Sequence, residues 1–181
     1  MRKELKVLLL VVLLAQPALA GGITFGVGVA AGLDYPIIQE DQARGTVFGF
    51  KGRLKAIPSI ALEPNIYFTN HGDPDYEDFD LGLEGSKITA YGVDATLGAG
   101  FGAVGVKPYG LFGVGFYKVK RDQTLQDETN FGWSAGFGIE VGVNPTVGLD
   151  VRGKLIVIPT DGGGSKKSAS VTGGLNYYFG N

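Results

Sequence analysis

From Phe131 to Val143 large apolar side chains hold every second position: Phe131, Trp133, Phe137, Ile139, Val141 and Val143, with Ala135 among them. Between them stand Gly132, Ser134, Gly136, Gly138, Glu140 and Gly142. A period of two is the signature of a β-strand with two unlike faces. In a soluble sheet the polar face is the outer surface, but this one is too small and sparse for that duty. Turning the apolar side to lipid and the small polar side to a narrow lumen describes a transmembrane β-barrel strand.

Seven further runs repeat the pattern. Phe25, Val27, Val29, Ala31 and Leu33 oppose Gly26, Gly28, Gly32 and Asp34; Phe48, Phe50 and Leu54 oppose Lys51, Arg53 and Lys55. Leu62, Ile66 and Phe68 oppose Glu63, Asn65 and Tyr67; Tyr91, Val93 and Leu97 oppose Asp94, Thr96 and Gly98. Val106, Phe112, Val114 and Phe116 oppose Lys107, Tyr109, Gly113 and Tyr117; Leu149, Val151 and Leu155 oppose Asp150, Arg152 and Lys154. The last run sets Val171, Leu175, Tyr177 and Phe179 against Thr172, Gly174, Asn176 and Tyr178. Each run is about 11 to 14 residues, and a tilted strand crosses a membrane with ~9–11. The connections alternate in length: long polar loops at 35–45, 70–85, 121–130 and 159–167, tight turns around Ile57-Pro58, Gly100–Gly102 and Asn144-Pro145. The expected fold is therefore all-β, an eight-stranded antiparallel up-and-down transmembrane β-barrel, with long loops on one side and both chain ends on the other.

The first twenty residues stand apart. Arg2, Lys3 and Lys6 precede an apolar run from Val7 to Ala15, and Ala18-Leu19-Ala20 supplies small residues for cleavage. This reads as a secretory signal over residues 1–20, followed by one barrel domain over 21–181. Without the signal, 13 basic and 17 acidic side chains remain, a balance that argues against nucleic acid as a partner. No cysteine is present, so stability has to come from the sheet. The 31 glycines fall mostly inside the strand-like runs, where close packing inside a narrow barrel gives them a reason.

Run in their alternating directions, the strands sort their lipid-facing aromatics into two belts. Phe48, Phe50, Phe68, Phe116, Phe131 and Trp133 fall at the long-loop end, and Phe25, Phe101, Tyr177 and Phe179 at the other, as rings at two membrane interfaces would. The lumen face carries Lys51, Arg53, Lys55, Glu63, Asp94, Lys107, Glu140, Asp150, Arg152 and Lys154. Strand order puts opposite signs on neighbouring strands, suggesting Arg53 with Glu63, Lys107 between Asp94 and Glu140, and Glu140 with Arg152. Buried charges persist when paired, and an eight-stranded interior is just wide enough for side chains to fill. A zipped polar core closed to bulk flow is expected, with a gated or narrow pore as the alternative.

The chain resembles the eight-stranded outer-membrane barrels of the OmpA, OmpX and OmpW type, over the whole of Gly21 to Asn181. In that family the last strand alternates apolar residues and ends in an aromatic recognised by the outer-membrane assembly machinery; Val171, Leu175, Tyr177 and Phe179 match, although Gly180-Asn181 follow. The resemblance implies a monomer in the outer membrane, with outer-membrane lipids and that machinery as partners and both termini periplasmic. No peptidoglycan-binding domain is expected after the barrel.

No cofactor, metal or catalytic residue is expected. Some barrels of similar fold modify lipid A with histidine, serine and an acid. Here the one histidine, His71, reads as a solvated loop residue with no serine near it in the chain, so catalysis would need a serine to approach in space. The segment Asp73–Glu84 holds six acidic residues without the ordered ligand spacing of a calcium loop, and reads as a solvated tip. Two functions remain ahead of an enzyme: a closed barrel with a structural or surface-interaction role, or a narrow channel or carrier of small solutes. A soluble lipocalin-like binder would need the faces reversed, apolar inside and polar outside.

Overall fold

The computed structural model describes residues 24–37, 43–57, 59–72, 86–98, 104–121, 128–160 and 164–179. They form eight strands: β1 (Thr24–Pro36), β2 (Gly45–Ile57), β3 (Ile60–His71), β4 (Ser86–Gly98), β5 (Gly105–Arg121), β6 (Glu128–Asn144), β7 (Val147–Pro159) and β8 (Ser165–Phe179). Each pairs antiparallel with the next, and β8 returns to β1, closing the barrel. Closure leaves no edge strand, so the backbone groups of the paired stretches bond within the sheet, the condition for crossing lipid. The proposed leader and the acidic segment 73–85 lie outside the described residues, as does Phe101.

The alternation predicts the faces. Phe137 is 74 % and Val151 58 % exposed on the outside, whereas Glu63 and Glu140 inside are 0 %. Polar groups within and apolar groups without reverse the arrangement a soluble lipocalin needs, and set the outer wall in lipid. Rings mark both ends of that wall. At the long-loop end Phe48 meets Phe50 edge-on at 5.0 Å and Phe116 meets Phe131 at 5.7 Å; at the other, Phe25 stacks on Phe179 at 5.6 Å, with Tyr177 beside it.

The inward glycines make room for the large inward side chains. Register sets Tyr178 opposite Gly26, Asn176 opposite Gly28, Tyr67 opposite Gly49, His71 opposite Gly45, Asp94 opposite Gly113 and Tyr109 opposite Gly138. In each pair the large side chain lies across its glycine: a methyl on Gly26 would come within 2.9 Å of the Tyr178 ring, and one on Gly45 within 2.8 Å of the His71 ring. Outward glycines differ, for a methyl on Gly153 or Gly173 meets nothing within 4 Å. Gly105 opens β5 at φ +114°, in the left-handed region that side chains disfavour.

The two kinds of glycine should therefore respond oppositely. At Gly138 an added methyl collides with the Tyr109 hydroxyl and sits 2.9 Å from the Val151 carbonyl oxygen, so Gly138→Ala is expected to destabilise the barrel by about 1–3 kcal/mol. Gly153→Ala should be neutral or slightly stabilising. Urea unfolding of the two variants in lipid vesicles, followed by tryptophan emission, measures the contrast.

Candidate functional site in the lumen

Inward positions on β2, β3, β4, β6 and β7 bring Lys51, Arg53, Glu63, Asp94, Glu140, Asp150 and Arg152 into the barrel centre, all buried. Arg53 on β2 binds Glu63 of the adjacent β3 and reaches across the lumen to Glu140 on β6. Arg152 on β7 spans the other way, with Nη1 2.8 Å from Glu63 Oε2 and Nη2 2.6 Å from Asp150 Oδ2. Lys51 donates to Asp150, and Lys154 Nζ lies 2.8 Å from Asp94 Oδ2. Four cations thus meet four carboxylates, a balance that burial demands.

Of the pairings expected from strand order, Arg53 and Glu63 come together. Lys107 stands directly opposite Glu140 in the β5–β6 ladder, but Asp94 goes to Lys154. The β6–β7 register corrects the expected Glu140–Arg152 neighbours: Glu140 sits opposite Asp150, and Arg152 opposite Gly138. Glu140 takes Arg53 and Arg152 takes Glu63 and Asp150, because an arginine is long enough to cross an eight-stranded lumen. Lys55 is half-buried at the chain-end side of the cluster.

Uncharged partners, which charge counting had passed over, complete the cluster. Tyr109 donates to Asp150, and two guanidinium groups lie over its ring, Arg53 at 5.7 Å and Arg152 at 5.5 Å from its centre. Tyr178 receives a hydrogen bond from Arg53 at 2.6 Å and donates to Glu140, which also accepts from Asn176 Nδ2 at 2.8 Å. The available signal was a tyrosine or asparagine at inward parity, but only register shows which carboxylate it meets.

His71 is a correction. It ends β3 rather than standing in a solvated loop, and its ring is buried. Lying over Gly45, it reaches Asp34 on β1, with Nε2 2.9 Å from Oδ2; Ser86, at the start of β4, brings its hydroxyl to 3.3 Å from Nδ1. A serine does approach in space. All three side chains are buried, so this chain of contacts ties together the long-loop ends of three strands.

Between this rim and the charge cluster is a cavity of about 40 Å³, with room for roughly three waters. Lys154, Arg152 and Asp94 form its floor, while Val47, Ile88, Ile156 and Ile158 make an apolar wall. Two buried polar atoms among its lining residues have no hydrogen-bond partner, Asp34 Oδ1 and Tyr67 Oη. Among the described residues, no group of three or more His, Cys, Asp or Glu side chains is placed to hold a metal.

The model of the outer membrane protein beta-barrel domain family matches residues 7–180. Among curated protein sequences none matches the chain. Neisserial surface protein A is similar in structure, with TM-score 0.68 and 18 % identity over 88 % of this chain and 100 % of that one. The N-terminal β-barrel domain of Pseudomonas aeruginosa OprF gives 0.57 and 12 %, covering 85 % and 97 %. Ail, the attachment invasion locus protein of Yersinia pestis, gives 0.52 and 17 %, covering 87 % and 97 %. At these identities the likeness is one of fold.

Removing Arg53 would strip Glu63 and Glu140 of a shared cation. Arg53→Ala is expected to cost about 3–5 kcal/mol, read as a lower unfolding midpoint in urea with lipid vesicles. An unchanged midpoint would show that the cluster does not hold the barrel together.

Proposed function

The chain belongs to the outer membrane protein beta-barrel domain family, and on that premise we propose that it is a closed, non-enzymatic outer-membrane barrel with a structural or surface-interaction role. The supporting observation is the buried cluster of Arg53, Glu63, Glu140, Asp150 and Arg152, whose members bond from one side of the lumen to the other. Ions would have to break charge-assisted hydrogen bonds to pass, bonds roughly twice as strong as neutral ones. The barrel is placed with its long loops outward and both termini in the periplasm, after export on the N-terminal leader. The names of two similar structures, a surface protein and an attachment invasion locus protein, support a role at the cell exterior.

Ser86, His71 and Asp34 are read as a structural tie. The Ser86 hydroxyl is buried, and its 3.3 Å contact is at the long end of the hydrogen-bond range. Purified protein is accordingly expected to leave the acyl pattern of lipid A unchanged by mass spectrometry; loss of an acyl chain that Ser86→Ala abolishes would make it an enzyme.

Single-channel recording tests closure. Wild-type protein in a planar bilayer should give no discrete conductance steps in 1 M salt. Stable openings in the wild type would support the narrow-channel reading instead.

A further inference from the structure

We infer that the cavity above the charge cluster is a binding site for a small alkylammonium ion. Below it the inward face carries the charge cluster, whereas here Val47, Ile88, Ile156 and Ile158 turn inward and line a space with an apolar wall. Charge inside the space is nearly all spoken for: Lys154 is bound to Asp94, and Arg152 to Glu63 and Asp150. Asp34 is the exception. One of its oxygens, Oδ2, lies 2.9 Å from His71 Nε2. The other oxygen, Oδ1, has no partner although the residue is only 2 % exposed.

The open valences define the ligand. A carboxylate oxygen accepts only, so the occupant must donate, and a cationic donor forms the stronger bond and neutralises the buried charge. Tyr67 Oη is the second unpartnered atom, held in place because its ring lies across Gly49 and beside Lys154 Nζ, 5.5 Å from the ring centre. A primary ammonium has three N–H groups, enough for Asp34 Oδ1, Tyr67 Oη and a water. Its hydrocarbon tail would lie against Val47 and the three isoleucines. A cavity of about 40 Å³ limits the whole ion to a few heavy atoms. So small a ligand binds at best with a dissociation constant in the tens of micromolar, by the ceiling on affinity per atom.

The inference goes beyond the proposed surface role and does not depend on it. The test is a ¹³C-methyl spectrum of the full chain in lipid nanodiscs, titrated with n-propylammonium and separately with n-propanol. Saturable shifts confined to the methyls of Val47, Ile88, Ile156 and Ile158 are expected, with propanol binding at least tenfold more weakly. Asp34→Asn should abolish the preference for the ammonium; Tyr67→Phe, which leaves the rim contact to His71 intact, should weaken binding several-fold. The same methyls in each variant without ligand report whether the barrel is folded. No shift at saturating propylammonium would mean that ordered water alone serves the two atoms, and would overturn the proposal. Equal binding of propanol, or an Asp34→Asn variant with undiminished preference for the ammonium, would overturn it as well.

Discussion

Eight strands close around a lumen so narrow that its largest inward side chains lie across glycines on neighbouring strands. Every tyrosine, arginine or histidine that points inward needs a vacancy beside it, and glycine on the neighbouring strand supplies one. Tyr178 over Gly26, Tyr67 over Gly49 and Tyr109 over Gly138 are instances of one steric rule. The rule orients side chains as well as fitting them. With its ring laid across Gly138, Tyr109 offers the ring to Arg53 and Arg152 while its hydroxyl reaches Asp150.

That steric order is what makes the ionic order possible. Lysine and arginine are long enough to cross this lumen, so the cluster joins opposite walls, β2 to β6 and β3 to β7, and not only neighbours. Mutual attraction offsets desolvation only with good geometry and further hydrogen bonds, and Tyr178, Asn176 and Tyr109 supply those bonds. The same residues that brace the wall reach across the lumen. Above them the character of the interior changes, from a neutralised polar core to an apolar cup with Asp34 and Tyr67 on its lining.

Much of the barrel was legible in one dimension because a strand has a period of two and lipid tolerates no polar outer face. From that alone came eight strands, which residues face in or out, the alternation of loops and turns, and the ends to which Phe48, Phe131, Phe25 and Phe179 belong. The inward apolar residues Val47, Ile88, Ile156 and Ile158 were equally present at inward parity. They drew no notice because an apolar residue next to an outward one looks like part of the same oily run.

The sequence by itself determined which side chains enter the lumen, since parity along a strand is a local property. Tertiary structure decided which of them meet, since that depends on the stagger between strands and on the width of the closed barrel. A register shift of two residues separates Glu140 beside Arg152 from Glu140 opposite Asp150, and hydrophobic patterning is blind to which lumen residue a given inward residue faces. His71 shows the same division. Its neighbours in the chain place it at the edge of a polar segment, but closure of β1, β3 and β4 around it buries the ring between Asp34 and Ser86.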